Sequence, residues 1–294
     1  MSTRTTFASK HGFLARRRVL QTLQRLGLTG LLATGGVIFL IPFAWMLTTS
    51  VKPVDQIYQV PPVWIPREIH WNWYIEPWKE YGFLRYYRNT IIICAANQIG
   101  VLLSCSAAAF AFARLRFWKR DLLFVILLST LMLPEQVTMI PMYVLYTRLH
   151  WIDTFKPLVI PTYFATNAFT VFLFRQYFMT ISTEIDDAAR IDGASIPDLY
   201  WRIILPLAKP ALGVAAIMQF TYDWNSFFYP LIYLNTDDKF TVAIALRLLY
   251  STLAIYTVQV VMAMTVVSII PVLVLFFVAQ RYFVQGIVVT GLKG

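Results

Sequence analysis

Charge is scarce in this chain. Only 14% of its 294 residues are Asp, Glu, Lys or Arg, while 58% are hydrophobic and 16% aromatic. A soluble domain carries about 25% charged residues, so this composition cannot supply a water-facing shell around a core. Cysteine is nearly absent. Cys94 and Cys105 fall on one expected helix, ~16 Å apart at 1.5 Å rise per residue. That separation is too long for a disulfide, and the pair is too small for a metal cluster, so both read as packing residues. Histidine occurs three times, at His11, His70 and His150, scattered over the tail and loops. No GxxxxGK[ST] loop, HExxH, CxxC or GxSxG occurs. These absences exclude the usual phosphate-binding loop, zinc-protease site, dithiol site and serine elbow. The chain is expected to be no enzyme, with no catalytic residue, metal or cofactor of its own.

What is abundant is long apolar sequence. Residues 26–51, 89–113 and 248–280 contain no acidic or basic side chain. Residues 122–147 contain only Glu135, and 210–236 only Asp223; 157–174 is a shorter run closed by Arg175. A helix needs ~20 residues to cross ~30 Å of hydrocarbon, so the expected fold is an all-α integral membrane protein with six transmembrane helices. The first run is longer than the ~7–15 residues of a signal-peptide core and is expected to remain as an anchor. Residues 1–25 form a basic N-terminal tail, 26–285 the six-helix domain and 286–294 a C-terminal tail. With six spans the termini share one side. That side holds Arg16, Arg17, Arg18 and Arg25 before the first span, and Arg114, Arg116, Lys119 and Arg120 in one short loop. Basic loops stay cytoplasmic. The net charge of +10 therefore reads as membrane topology, not as a nucleic-acid surface.

Between the fourth and fifth runs lies EIDDAARIDGAS, Glu184 to Ser195, followed by IPDLYWRIILPLAKPAL. Thr183 is placed as an N-cap, with Asp186 three residues on as a short counterpart of the capping-box Glu. Glu184, Asp186 and Asp187 sit where the helix dipole favours negative charge, and Gly193 supplies a left-handed C-cap. Ser195 and Asp198 repeat the start signal, with Pro197 tolerated in the first turn. Ile196, Leu199, Tyr200, Ile203, Ile204 and Leu207 then recur at helical spacing. Pro206 and Pro210 interrupt the pattern. On the first short helix, Ile185, Ala188 and Ala189 are expected to form a narrow face, with Asp186, Asp187 and Arg190 pointing elsewhere. A helix lying on lipid would carry bulky apolar residues and a basic polar face. Small residues with an acidic rim fit close approach by another protein.

These residues resemble a known motif. DDAARIDGAS with ILPLAKPAL is similar to the EAA loop of permease subunits of ATP-binding-cassette (ABC) importers, with Asp187-Ala188-Ala189 in the EAA place and Asp192-Gly193-Ala194 as its DGA. SVKPVDQIYQVPPVWIP, AAAFAFARLRF, MLPEQVTMIPMYVL, FRQYFMTI, FTYDWNSFFYPLIYL and the terminal RYFVQGIVVTGLKG, in that order, resemble the sugar-importing, maltose-transporter-type branch. The likeness runs from about the first span to the last residue. Two departures are visible: Asp187 stands where the family usually has Glu, and Ile181-Ser182 where it has Ile-Pro, which exchanges a proline helix-starter for a capping side chain.

The resemblance implies a coupling helix within residues 183–207, in the loop between the fourth and fifth spans, that seats in a cleft of a cytoplasmic ATPase. Glu184, Asp187, Ala188, Ala189, Asp192, Gly193, Ala194, Leu205 and Pro206 are the implied coupling residues. Segment 286–294 is a further candidate contact. The implied partners are a second, homologous permease, two ATPase subunits holding ATP and magnesium, an extracytoplasmic solute-binding protein, a sugar and membrane lipid. The implied location is a bacterial-type cytoplasmic membrane. Alternatives are an ABC permease for an amino acid, polyamine or glycerol phosphate ester, or a secondary carrier. A carrier would favour inverted repeats, which are not seen here, and ionisable groups inside the spans, of which only Glu135 and Asp223 qualify. Each of the two fits a water-exposed helix break as well as a solute path.

Gln219, Tyr222, Asp223, Trp224 and Asn225 combine aromatic faces with amide and carboxylate groups, the chemistry that holds sugars. The same residues fit hydrogen bonding between helices and an aromatic belt, the favoured reading. Pro134 and Pro141 read as kinks in the third span.

Overall fold

The computed structural model describes the backbone of residues 6–252 and 258–291, with side chains for residues 21, 24–250 and 258–279. Among the described residues every regular element is helical and there is no strand. The main helices are α1 (Thr6–Thr49), α2 (Asn72–Glu80), α3 (Phe83–Arg114), α4 (Arg120–Ser129) and α5 (Glu135–Arg148). They continue as α6 (Ala168–Thr180), α7 (Thr183–Ile191), α8 (Lys209–Trp224), α9 (Val242–Thr252) and α10 (Val258–Gly291).

Four stretches are long and apolar enough to cross a membrane: Gln24–Thr49, Phe83–Arg114, Lys156–Thr180 and Val258–Ala279. Two further candidates are bent pairs, Arg120–Met132 with Glu135–Arg148 at 100° and Ile196–Leu207 with Lys209–Trp224 at 76°. The described residues thus hold four candidate spans, or up to six if each bent pair is one span. Both bends have a local cause. Pro134 offers no N–H and pushes Leu133 into extended backbone (φ −82°, ψ 121°), which stops a helix. Pro141 lies inside α5, which continues through it. At the second bend Ala208 leaves helical geometry (φ −91°, ψ 9°) between Pro206 and Pro210.

Two apolar runs are shorter as helices than as sequence. The run over 210–236 breaks after Trp224 and resumes as a single helical stretch, Phe228–Tyr233. The run over 248–280 starts inside α9, and residues 253–257 lie outside the described ones. The boundaries drawn at 25 and 286 do not coincide with helix breaks, because α1 starts at Thr6 and α10 continues to Gly291. The side chains of 1–20 and 280–294 lie outside the described residues, so the C-terminal contact expected at 286–294 does too.

Helix α3 is the centre of the bundle, packing chiefly on α6 and α8, while α10 packs on α8 and α1. One core gathers Val101, Cys105, Phe110, Val171, Phe174 and Phe178 with Ala189, Tyr200 and Ile204 from the acidic loop region. A second gathers Phe83, Tyr87, Cys94, Trp224, Val242 and Met264. Both cysteines are buried packing residues and neither forms a disulfide. Close approach is built in at Gly100, where an added Cβ would stand 2.9 Å from the Tyr163 ring and closer still to Thr162 Oγ1. One turn on, Ser104 Oγ donates to the Thr162 carbonyl at 2.7 Å and accepts from the Ala165 N–H at 3.1 Å. Small residues at such a contact let helices meet backbone to backbone.

Candidate functional site

At one end of the bundle the acidic loop forms the short helix α7. Its N-cap is Ser182, whose hydroxyl accepts from the Glu184 N–H at 3.2 Å. The cap expected at Thr183 is therefore one residue earlier, and Ser182 supplies the cap anticipated where the family carries proline. At the far end Gly193 adopts φ +83°. The Ala194 N–H reaches the Ala189 carbonyl at 2.9 Å and the Gly193 N–H the Arg190 carbonyl at 3.0 Å, a Schellman ending. Ser195 and Asp198 then form the expected reciprocal capping box. The next residues depart from α-geometry. Leu199–Ile204 is a π-helix, and it turns Tyr200 onto α3, where its hydroxyl meets Ser106 Oγ at 2.7 Å.

Helix α7 is braced to the bundle by a buried ion pair. Arg114 Nε, at the end of α3, lies 3.4 Å from Asp186 Oδ2, with side-chain exposures of 3% and 8%. The same guanidinium donates from Nη2 to the carbonyls of Phe178 (3.0 Å) and Ile181 (2.8 Å), where α6 ends. Burial pushes the Asp186 carboxyl above its ordinary range, with Arg114 opposing. The expectation that Asp186 points away from the packed face is corrected: Asp186 and Ala189 both turn inward. Ala188 and Ala189 consequently do not share one outward face. The outward face is Ile185, Ala188 and Ile191, with Glu184, Asp187, Asp192 and Gly193 around it. Ile191 is 86% exposed. Pro206 is exposed, while Ala194 and Leu205 are half-buried. Arg114 was visible in the sequence only as a basic loop residue. Its partner lies far along the chain and no spacing announces it.

Deeper in the bundle a cavity of about 840 Å³ opens between α3, α5 and α8, a size that suits a small-molecule site. Its lining includes Asn97, Glu135, Thr138, Gln219, Tyr222 and Asp223. Asp223 is buried and accepts from Asn97 Nδ2 at 3.0 Å and from Gln219 Nε2 at 2.9 Å. Asn167 Nδ2 donates to Gln219 Oε1 at 3.3 Å. Gln219 and Asp223 therefore tie α8 to α3 and to the start of α6, and also form part of the cavity wall.

Tyr222 is half-exposed on that wall, near Glu135. The other two candidates lie off it. Trp224 Nε1 donates to the Ser268 carbonyl at 2.9 Å and its ring stacks on Phe220. Asn225 donates at 2.8 Å to Thr221 of its own helix. Neither lines the cavity: the Trp224 indole packs between helices, whereas Asn225 is exposed and bonds its own helix. Glu135 reaches the cavity because of the bend at Pro134. The sequence marked it as a charge in an apolar run without assigning it to a site.

The opposite end of the bundle is held by polar contacts on segment 233–241. Asp153 accepts from Lys239 Nζ at 2.7 Å, from the Asn235 and Thr236 N–H groups at 2.9 and 3.0 Å, and from the Thr236 hydroxyl. Arg85 pairs with Asp237 and Asp238, and Tyr86 donates to Asp237 at 2.6 Å. The Lys239 ammonium, then the Thr236 hydroxyl, hold the Asp153 carboxyl well below the usual carboxylate range.

Residues 100–289 match the family of binding-protein-dependent transport system inner membrane components. The chain belongs to that family, and it is a transport subunit and not an enzyme. It is 31% identical over 260 residues to the arabinooligosaccharides transport system permease protein AraQ of Halalkalibacterium halodurans, covering 87% of this chain and 92% of the relative. It is 30% identical over 267 residues to the sn-glycerol-3-phosphate transport system permease protein UgpE of Yersinia pestis, covering 88% and 94%. Among solved structures it is similar to a chain of a bacterial ABC transporter involved in the import of the acidic polysaccharide alginate. That match has a TM-score of 0.80 and 27% identity, covering 90% of this chain and 97% of the other.

Proposed function

We propose that this chain is one of two permease subunits of an ABC importer for a saccharide, with both termini and residues 183–207 on the cytoplasmic side. The observation that carries the coupling part is α7 itself. It is fixed to the bundle through Asp186 and Arg114, yet presents Ile185, Ala188 and Ile191 outward. An apolar face held rigidly away from its own core fits a protein cleft, and the acidic residues around it disfavour burial in anionic lipid. A pull on α7 would pass through Arg114 to the ends of α3 and α6. In this reading a pair of ATPase subunits, carrying ATP and magnesium, closes on the helix and tilts the bundle, while an extracytoplasmic binding protein delivers the solute. Similarity to the arabinooligosaccharide and alginate systems supports a saccharide.

The test is accessibility in cells. A cysteine at Ala194 is expected to react with an impermeant thiol reagent only after the membrane is opened, and to be shielded when the ATPase is co-expressed. Labelling of that cysteine from outside intact cells would refute the orientation. Equal labelling with and without the ATPase would refute the docking.

A further inference from the structure

The fold does not decide the charge of the solute. A chain with a TM-score of 0.80 to this one belongs to an importer of an acidic polysaccharide, so any charge selection made by this chain lies in the residues that line the path. Here the lining is one-sided. It carries two carboxylates, Glu135 and Asp223, and among the described residues no Lys, Arg or His.

The two acids play different parts. Asp223 is fixed in the wall, with one amide donor on each oxygen. Glu135 is exposed, stands in the first turn of α5 directly after the bend, and lies beside Tyr222 and Tyr229. Among the described residues no cation pairs with Glu135, and the helix N-terminus and the Tyr229 hydroxyl offset its charge only in part, so a net negative field faces the cavity. An independent feature points to what the space would receive. Asn97 is 4% exposed, and its Oδ1 has no hydrogen-bond partner although the residue lines the cavity. A buried acceptor without a donor is costly, and a small turn of the Asn97 side chain toward the cavity it lines would let a solute hydroxyl satisfy it. Acceptors and a half-exposed tyrosine suit the hydroxyls of an uncharged sugar. The same groups repel a carboxylate or phosphate, and low-dielectric walls strengthen that repulsion.

We propose that this chain's wall of the translocation cavity excludes anionic solutes, with Glu135 as the selecting charge, so that the saccharide carried is not an acidic one. The proposal rests on the importer reading above.

The experiment uses the assembled complex. Thr138, one turn along α5 from Glu135 and also on the cavity wall, is replaced by cysteine. Its modification is timed with a cationic and an anionic methanethiosulfonate, each normalised to a free thiol. The chain without T138C is the blank, since Cys94 and Cys105 are buried. The cationic reagent is expected to be favoured by about tenfold or more, as a unit charge ~6 Å away, the spacing of residues three apart on a helix, gives even at ε ≈ 80 and low ionic strength. Glu135→Gln should bring the ratio to within about threefold of unity. A ratio near one with Glu135 present, or one unchanged by Glu135→Gln, overturns the proposal. Ser226→Cys on the same cavity wall provides a second reporter should T138C fail to assemble. ATP-dependent uptake of a neutral oligosaccharide by the unmodified complex is measured in parallel. Its absence would refute the importer reading, whereas a flat charge ratio with uptake intact would refute only the filter.

Discussion

Replacing Arg114 by Met should uncouple the loop helix from the bundle while leaving the spans in the membrane. Arg114 is 3% exposed in its side chain and meets three acceptors, the Asp186 carboxylate and the carbonyls of Phe178 and Ile181. Removing one member of a buried pair typically costs about 3–5 kcal/mol, because the partner remains buried and uncompensated. The loss falls on the docking of α7 and not on the whole bundle, since the deep contacts of α3 with α6 and α8 do not involve it. A 3 kcal/mol loss raises local opening of α7 about 100-fold, readable as faster amide exchange over residues 183–192.

Asp186→Asn should be milder, because the amide leaves an acceptor beside Arg114 and the guanidinium keeps its two carbonyl partners at Phe178 and Ile181. Burial raises the Asp186 carboxyl despite Arg114, so the charged form is already held against a desolvation cost. A carboxyl raised in the docked state contributes fully below the undocked value, near 3.9, and loses that contribution as pH rises through the docked value. The amide removes this dependence and keeps a polar oxygen beside Arg114. In the complex, ATPase stimulation by loaded binding protein should fall sharply for Arg114→Met and modestly for Asp186→Asn. Equal damage from the two, or unchanged exchange over 183–192 in Arg114→Met, would refute the brace.

At the other end, Asp153 is held low by Lys239, so its contribution is complete above the unfolded value near 3.9 and is lost as pH falls through the lower folded value. Proteolytic resistance of segment 233–241 should be flat from neutral pH to about 5 and decline below about 4, with Asp153→Asn removing the dependence. Gly100→Leu should cost about 1–3 kcal/mol by overpacking, because Tyr163 and Thr162 already stand where its Cβ would go. A lower midpoint of thermal unfolding and a reduced yield of the complex would show it, and a wild-type midpoint would contradict the close contact.

The features that local chemistry decides were legible in the sequence. Gly193 ends its helix because few other residues accept φ +83°, and Ser195 with Asp198 closes a capping box three residues apart. Pro134 marks where one helix stops, and Pro206 and Pro210 flank the break at Ala208. What could not be read is which face of a short helix turns inward. Ile185, Asp186, Ala188 and Ala189 fill one turn, and their side chains point in different directions around the axis. Alanines suggested the contact face, yet the choice was made by Arg114, a residue from another helix that offers Asp186 a cation. The same limit applied to Trp224, whose indole found the Ser268 carbonyl on α10.

Glu135 shows how a local signal becomes a site only through geometry. Its sequence context gives an acid after a proline in an apolar run, which fits a water-exposed kink as well as a path. The 100° bend turns that kink toward α8, where Tyr222 stands on the same cavity wall. A helix start that tolerates a lone carboxylate and a bend that aims it inward are both consequences of Pro134. Moving that proline should therefore displace the cavity's charge as well as its shape. Pro134→Ala, which permits α4 and α5 to continue as one helix, should lower the reagent ratio at Thr138→Cys even with Glu135 intact. A ratio that survives the straightened helix would mean that the bend does not place the charge, and that another element holds Glu135 against the cavity.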